Sequence, residues 1–240
     1  MDKLNRTKKK QPDDFQGTIA ELLAQMGIVA VDLEYFTDAL THSSYANEHG
    51  VNSNERLEFL GDSVLGLIVC QFLFENYPNY NEGKLAKLKS TMVSAPVLAR
   101  LATNIGLDQY IRLGYGELRS SGRTKLNILA DVFEAMIGAY FMNFGFDKTK
   151  EFFLPLIKAE LPEVIAHLDE VNAKTNLQEL TQAKGIKPEY RIIKEEGPPH
   201  NRFFWVEVLI NNKVAGTGTG RSIKEAQNKA ALAALNNLQQ

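Results

Sequence analysis

The chain has 240 residues, 44% hydrophobic and 23% charged, with 27 basic against 29 acidic side chains, which describes ordinary globular protein and excludes a disordered polyelectrolyte. A single cysteine, Cys70, excludes an internal disulfide framework. No stretch reaches the roughly 18 uninterrupted apolar residues of a membrane span, and a polar start in place of a signal peptide leads us to expect a cytoplasmic protein without membrane contact.

Residues 1–14 read as a basic tail in which Lys8, Lys9 and Lys10 are solvated. Phe15, Ile19, Leu22, Leu23 and Met26 then recur at helical spacing up to Gly27, a residue suited to ending a helix. Asn54 stands where it can cap a long helix that Pro78 stops near Tyr77. Residues 82–91 continue helically, and Ser94 with Pro96 opens a helix that ends near Gly106. A helix over 125–144 stops before Gly145, with Asp147 able to cap a successor. No alternating strand pattern occurs before residue 170, so an all-α domain is expected over 15–168.

The polar stretch 169–173 reads as a linker. Residues 174–240 predict a small α+β module in the order α-β-β-β-α. Its pieces are a helix over 175–184, strands over 190–194, 203–210 and 213–219, a tight turn at Asn211-Asn212, and a closing helix over 222–238. Charge divides along the same line. From Asn172 onward there are ten basic and six acidic residues, which leaves 17 basic and 23 acidic before it. The basic module suits a polyanionic partner. Carboxylates of the acidic domain must do something else.

Glu55, Glu58 and Asp62 are spaced to project from one side of a helix. Residues 63–74 then carry no charge, and Val64, Leu65, Leu67, Ile68, Val69, Phe72, Leu73 and Phe74 cover the whole circumference. Such a helix is expected in a core, with Asp62 where it enters the interior. A solvated acidic face is the bland alternative, which these surroundings disfavour. Between Lys125 and Asp147 the only charges are Asp131 and Glu134, three apart among Ile128, Leu129, Val132 and Phe133. Two acidic groups on apolar helices, with no nearby excess of Lys or Arg, point to a shared divalent cation. Oxygen donors without Cys or His at zinc spacing favour Mg²⁺, with Mn²⁺ able to substitute. No small-molecule cofactor is expected. His42, beside Ser43 and Ser44, reads as a structural hydrogen-bonder rather than a general base.

Residues 54–63 (NERLEFLGDS), 39–44 (ALTHSS) and 130–139 (ADVFEAMIGA) resemble, at the right positions, three segments of the ribonuclease III family. The C-terminal module resembles a double-stranded RNA-binding domain over 175–182, in the loop Gly197-Pro198-Pro199-His200, and over 218–231. The resemblance implies a Mg²⁺-dependent endonuclease that hydrolyses double-stranded RNA. Its products would carry 5′-phosphate and 3′-hydroxyl ends with short 3′ overhangs, in the processing of rRNA, mRNA and tRNA precursors. It further implies that Glu58, Asp62, Asp131 and Glu134 bind the metal, with Asp62 and Glu134 catalytic, and that Glu55 and Glu82 line the cleft. A homodimer is implied, with Phe59 of the signature helix inserted into the partner. Alternatives stay open: Glu55 pairing with Arg56 or a neighbouring subunit, Glu82 capping its helix, and Phe59 packing within its own subunit.

For the RNA, Gln178, Glu179 and Gln182 fall along one helix face with Thr175 at its start, suited to 2′-hydroxyls of a minor groove. Pro198 and His200 belong to the loop that would reach a second groove. Ser222 caps a helix whose N-terminus attracts phosphate, and Lys224 lies in its first turn. Lysine is common in the family where Ile223 and Gln227 stand here, so Arg221 and Lys229 are the candidates to compensate. Phe203 and Trp205 alternate with Phe204 and Val206, which favours sheet or core packing over base stacking. Two rival readings are weaker. A catalytically silent RNA-binding protein sits badly with four filled acidic positions, and a helical nucleotide phosphohydrolase leaves the basic module unexplained.

Overall fold

The computed structural model describes residues 18–29, 32–182, 185–198 and 200–239. The basic tail over 1–14, the start of the helix expected from Phe15, and Pro199 lie outside them. The chain divides into two compact units, Met1–Leu161 and Pro162–Gln240.

The first unit is helical: α1 (Ile19–Gln25), α2 (Leu33–Ala39), α3 (Ser43–His49), α4 (Glu55–Asn76), α5 (Glu82–Met92), α6 (Ala95–Asn104), α7 (Tyr115–Arg119) and the start of α8 (Leu126–Gln182). A capping box opens α1: Thr18 Oγ1 accepts from the Glu21 N–H while the Glu21 carboxylate accepts from the Thr18 N–H. Gly27, at φ +70°, follows its end. Among the described residues of this unit the β contact is one isolated parallel bridge, Thr41 to Arg112.

Four expectations need correction here. Asn54 precedes α4 but its side chain makes no cap: it is 2% exposed, and its Nδ2 finds no partner. The start of α4 is held by the backbone instead, the Asn54 N–H donating to the Thr41 carbonyl over 2.8 Å. Nor is α4 buried all round. Leu57, Val64, Leu65, Ile68, Val69, Phe72 and Leu73 face the core, whereas Phe59, Leu67 and Phe74 are 78%, 56% and 76% exposed. The helix is apolar on both sides because one side meets this unit's core and the other forms a stripe that the described residues leave exposed. By length and composition α4 and α8 pass as membrane spans, yet their most apolar windows are 44% and 56% buried inside the protein, as core helices are.

The other two corrections concern α8, whose helical φ/ψ breaks only at Gly145 (φ 77°, ψ 178°). Asp147, expected to cap the next run, lies within it. Residues 169–173, expected as a linker, are helical too. Their polar side chains are the outer face of a helix whose inner face buries Val164, Ala173 and Leu177. No Gly or Pro interrupts 163–182.

The second unit joins the end of α8 to β1 (Glu189–Glu196), β2 (Phe203–Ile210), β3 (Lys213–Gly220) and α9 (Ile223–Gln239). The strands form an antiparallel sheet in the order β1-β2-β3. The β2–β3 hairpin turns on Asn211 and Asn212, both at positive φ, as a two-residue turn that follows the sheet twist requires. Phe204, Val206 and Val208 pack against Ala173, Leu177, Ala226, Ala230 and Ala234. A β-carbon on Gly216 or Gly218 would strike the α9 backbone near Ala230, so the alanine-rich helix lies directly on the sheet. Phe203 and Trp205 point the other way, their ring centroids 4.9 Å apart, with the Lys194 ammonium 4.8 Å from the Trp205 ring centre. The whole is an all-α domain followed by an α+β module.

Candidate functional site

Helices α4 and α8 cross at glycines. A β-carbon on Gly61 would overlap the Glu134 carbonyl, and one on Gly138 would overlap the Leu57 carbonyl. The two backbones therefore touch, and acidic side chains within a turn of the crossing converge. Carboxylate oxygens of Glu58, Asp131 and Glu134 lie within 4.8 Å of one another, each on a half-buried residue. Asp62, next to Gly61, is exposed rather than entering the interior, but its charge still bears on Glu58 and Glu134.

Burial, then the charges of Asp62, Glu58 and Asp131, push the Glu134 carboxyl up to about 7. Glu58 is raised by burial and then by Asp131, Glu55 and Asp62. Asp131 is raised by burial, which His42 partly opposes. Among the described residues no Lys or Arg forms an ion pair with any of the three. Close hard-oxygen donors that resist ionisation together fit a small divalent cation, whose charge would reverse that repulsion.

The remaining candidates fall into place around this cluster. Glu55 is exposed and accepts from the Ser53 hydroxyl over 2.8 Å. Glu82 is exposed in the first turn of α5, where the cap is Asn81, accepting from the Lys84 N–H over 2.9 Å. Phe59 is exposed, so it does not pack within its own subunit. His42 is a structural hydrogen-bonder. Its Nδ1 accepts from the Ser44 N–H over 3.2 Å and lies 2.8 Å from the Ser44 hydroxyl oxygen. The Ser44 Oγ in turn accepts from the Gly114 N–H.

Sequence reasoning missed Gly61 and Gly138. A signal was there, since glycine inside a helix costs about 1 kcal/mol against alanine and so asks for a reason. The reason is three-dimensional.

In the second unit Thr175, Gln178, Glu179 and Gln182 are exposed along α8, and Pro198 and His200 are exposed between β1 and β2. Ser222 Oγ accepts from the Glu225 N–H over 3.1 Å at the start of α9, and Lys224 is exposed in the first turn.

Comparison with known proteins accounts for both units. The family described as Ribonuclease-III-like matches residues 32–161, and the double-stranded RNA binding motif matches residues 173–238. Ribonuclease 3 of Enterococcus faecalis is 44% identical over 224 residues, covering 92% of this chain and 97% of the relative. Ribonuclease 3 of Natranaerobius thermophilus is 43% identical over 219 residues, covering 89% and 93%. Among solved structures, the nuclease domain of ribonuclease III from Campylobacter jejuni superposes with a TM-score of 0.57 at 35% identity. It covers 60% of this chain and 99% of its own, and is described for flexibility in a region involved in dimer formation.

Proposed function

The chain belongs to the ribonuclease III family and is a double-strand-specific endoribonuclease; on that premise we propose that Glu58, Asp62, Asp131 and Glu134 hold Mg²⁺ and that the chain works as a homodimer. The observation that carries the metal assignment is the approach of the Glu58, Asp131 and Glu134 oxygens to within 4.8 Å of one another, with no ion pair to a Lys or Arg among the described residues. When bound, Mg²⁺ lowers the pKa of a coordinated water, polarises the scissile phosphate and stabilises the leaving 3′-oxygen.

The chain's own residues supply the frame. Gly61 and Gly138 bring the two helices into contact, which sets the spacing of the carboxylates. Asp62 and Glu134 are the catalytic pair: the charge of the exposed Asp62 bears on Glu134, and both can accept protons from an attacking water. Glu55 and Glu82 line the cleft as further acceptors. Release at the 3′-oxygen leaves 5′-phosphate and 3′-hydroxyl ends.

Dimerisation is supported by the exposed Phe59, Leu67 and Phe74 stripe on the helix that carries Glu58 and Asp62. A partner covering it would bury apolar surface and supply a second carboxylate set for the opposite strand. Thr175, Gln178, Glu179, Gln182, Pro198, His200, Ser222 and Lys224 are the duplex-contacting residues of the second unit. Substrates of this class, precursors of rRNA, mRNA and tRNA, suit the cytoplasm.

The test is incubation of the purified full chain with a perfect RNA duplex. Cleavage of both strands with Mg²⁺, and none in chelator, is expected. Cutting that persists in chelator, or no cutting with either Mg²⁺ or Mn²⁺, would defeat the metal assignment.

A further inference from the structure

The two faces expected to hold RNA in the second unit meet at one side chain that neither includes. Lys174 lies on α8 one turn before Gln178, and its Nζ donates to Gln227 Oε1 on α9 over 2.7 Å. Gln227 lies three residues after Lys224, so the Lys174 ammonium and Lys224 share the face of α9 that follows the Ser222 cap. The Tyr190 ring supports the same ammonium from below, 4.8 Å from ring centre to Nζ.

What holds this cation matters. An ammonium carries three protons, and Gln227 takes one. Its partners are an amide oxygen and an aromatic face, neither of which cancels its charge, and no carboxylate pairs with it among the described residues. Lys229 is the opposite case. Its Nζ lies 2.7 Å from Glu225 Oε1 and 3.9 Å from Glu170 Oε1. Two carboxylates already pair with Lys229, so its ammonium is less open to a phosphate than that of Lys174.

We propose that Lys174 is a phosphate-binding residue of this module, pre-positioned by Gln227 and Tyr190 beside the α9 N-terminus to act with Lys224. This rests on the reading of residues 173–238 as the duplex-binding module.

The experiment measures binding of the full chain to a perfect RNA duplex longer than ~16 base pairs, in chelator so that none is cut, across a salt series. Lys174→Gln should weaken binding about tenfold near 0.1 M salt and reduce the slope of log affinity against log salt by about 1. Lys174→Arg should retain both, and Lys229→Gln should leave the slope unchanged. Wild-type affinity and slope in Lys174→Gln, with both reduced in Lys224→Gln, would overturn the role of Lys174 and leave the module's function intact. Weaker binding with an unchanged slope would also overturn it, by assigning Lys174 a structural role. Failure of the wild-type chain to bind the duplex would sink the underlying reading as well.

Discussion

Gly61 and Gly138 face each other across the crossing of α4 and α8, each so close to the opposite backbone that neither position has room for a methyl group. The obstruction is carbonyl backbone, not a side chain that can swing away. Gly138→Ala should therefore push the helices apart and spread the carboxylates. Overpacking of this kind costs about 1–3 kcal/mol. The expected result is a lower melting temperature together with weakened Mg²⁺ binding by calorimetry. A variant with wild-type Mg²⁺ affinity would show that the crossing does not set the site.

Glu134→Gln and Asp62→Asn keep side-chain shape while removing negative charge. Each should abolish cleavage, whereas duplex affinity in chelator should change little because the second unit supplies most of it. Parallel loss of binding and cleavage, or full activity in Mg²⁺, would refute the assigned roles.

The acidic cluster makes the metal-free protein pH-sensitive. Glu134 titrates near 7 in the fold against an ordinary value of 4.5, so the folded state holds its proton more tightly than the unfolded chain. Its contribution to stability is therefore present below the ordinary value and is lost as pH rises through about 7. In chelator the melting temperature should fall between about pH 5 and pH 8, more steeply for wild type than for Glu134→Gln. Mg²⁺ should restore most of the loss at the higher pH by binding the ionised carboxylates. Identical pH slopes for wild type and variant would contradict this account.

Phe59 lies on the exposed side of α4, one residue after Glu58, with 78% of its surface open in the single chain. Losing a large apolar anchor from an interface can cost about 2 kcal/mol or more. Phe59→Asp should give monomers by sedimentation and cut duplex RNA poorly or only nick it. Because Phe59 makes little contact within its own subunit, the variant's melting curve should stay cooperative. Dimers that persist in the variant, or wild type that cuts both strands as a monomer, would remove the dimer from the mechanism.

Much of the secondary structure was legible from local chemistry. Gly106 and Ser222 bound their helices as such residues do, Ser94 stands before α6 without a side-chain cap, and β2 spans the alternating run Phe203–Ile210. Caps, turns and alternation act over a few residues, so the chain states them directly. The carboxylates were legible for a related reason. Charge inside an apolar helix is costly wherever the helix goes, so Glu58, Asp131 and Glu134 announced a function before their partners were known.

Other features depend on what lies opposite. Nothing local distinguishes the buried side of α4 from the side bearing Phe59, Leu67 and Phe74, because both are apolar and only the packed neighbours tell them apart. The polar residues at 169–173 likewise resemble a linker until Ala173 and Leu177 are seen buried beneath them. Lys174 and Lys229 are equal as letters, yet one bonds an amide oxygen while the other pairs with the carboxylates of Glu225 and Glu170. Local sequence was enough for the longer helices, the strands and the acids that are out of place. Which of those acids meet depends on packing, because Gly61 and Gly138 act through contact between segments 77 residues apart in the chain.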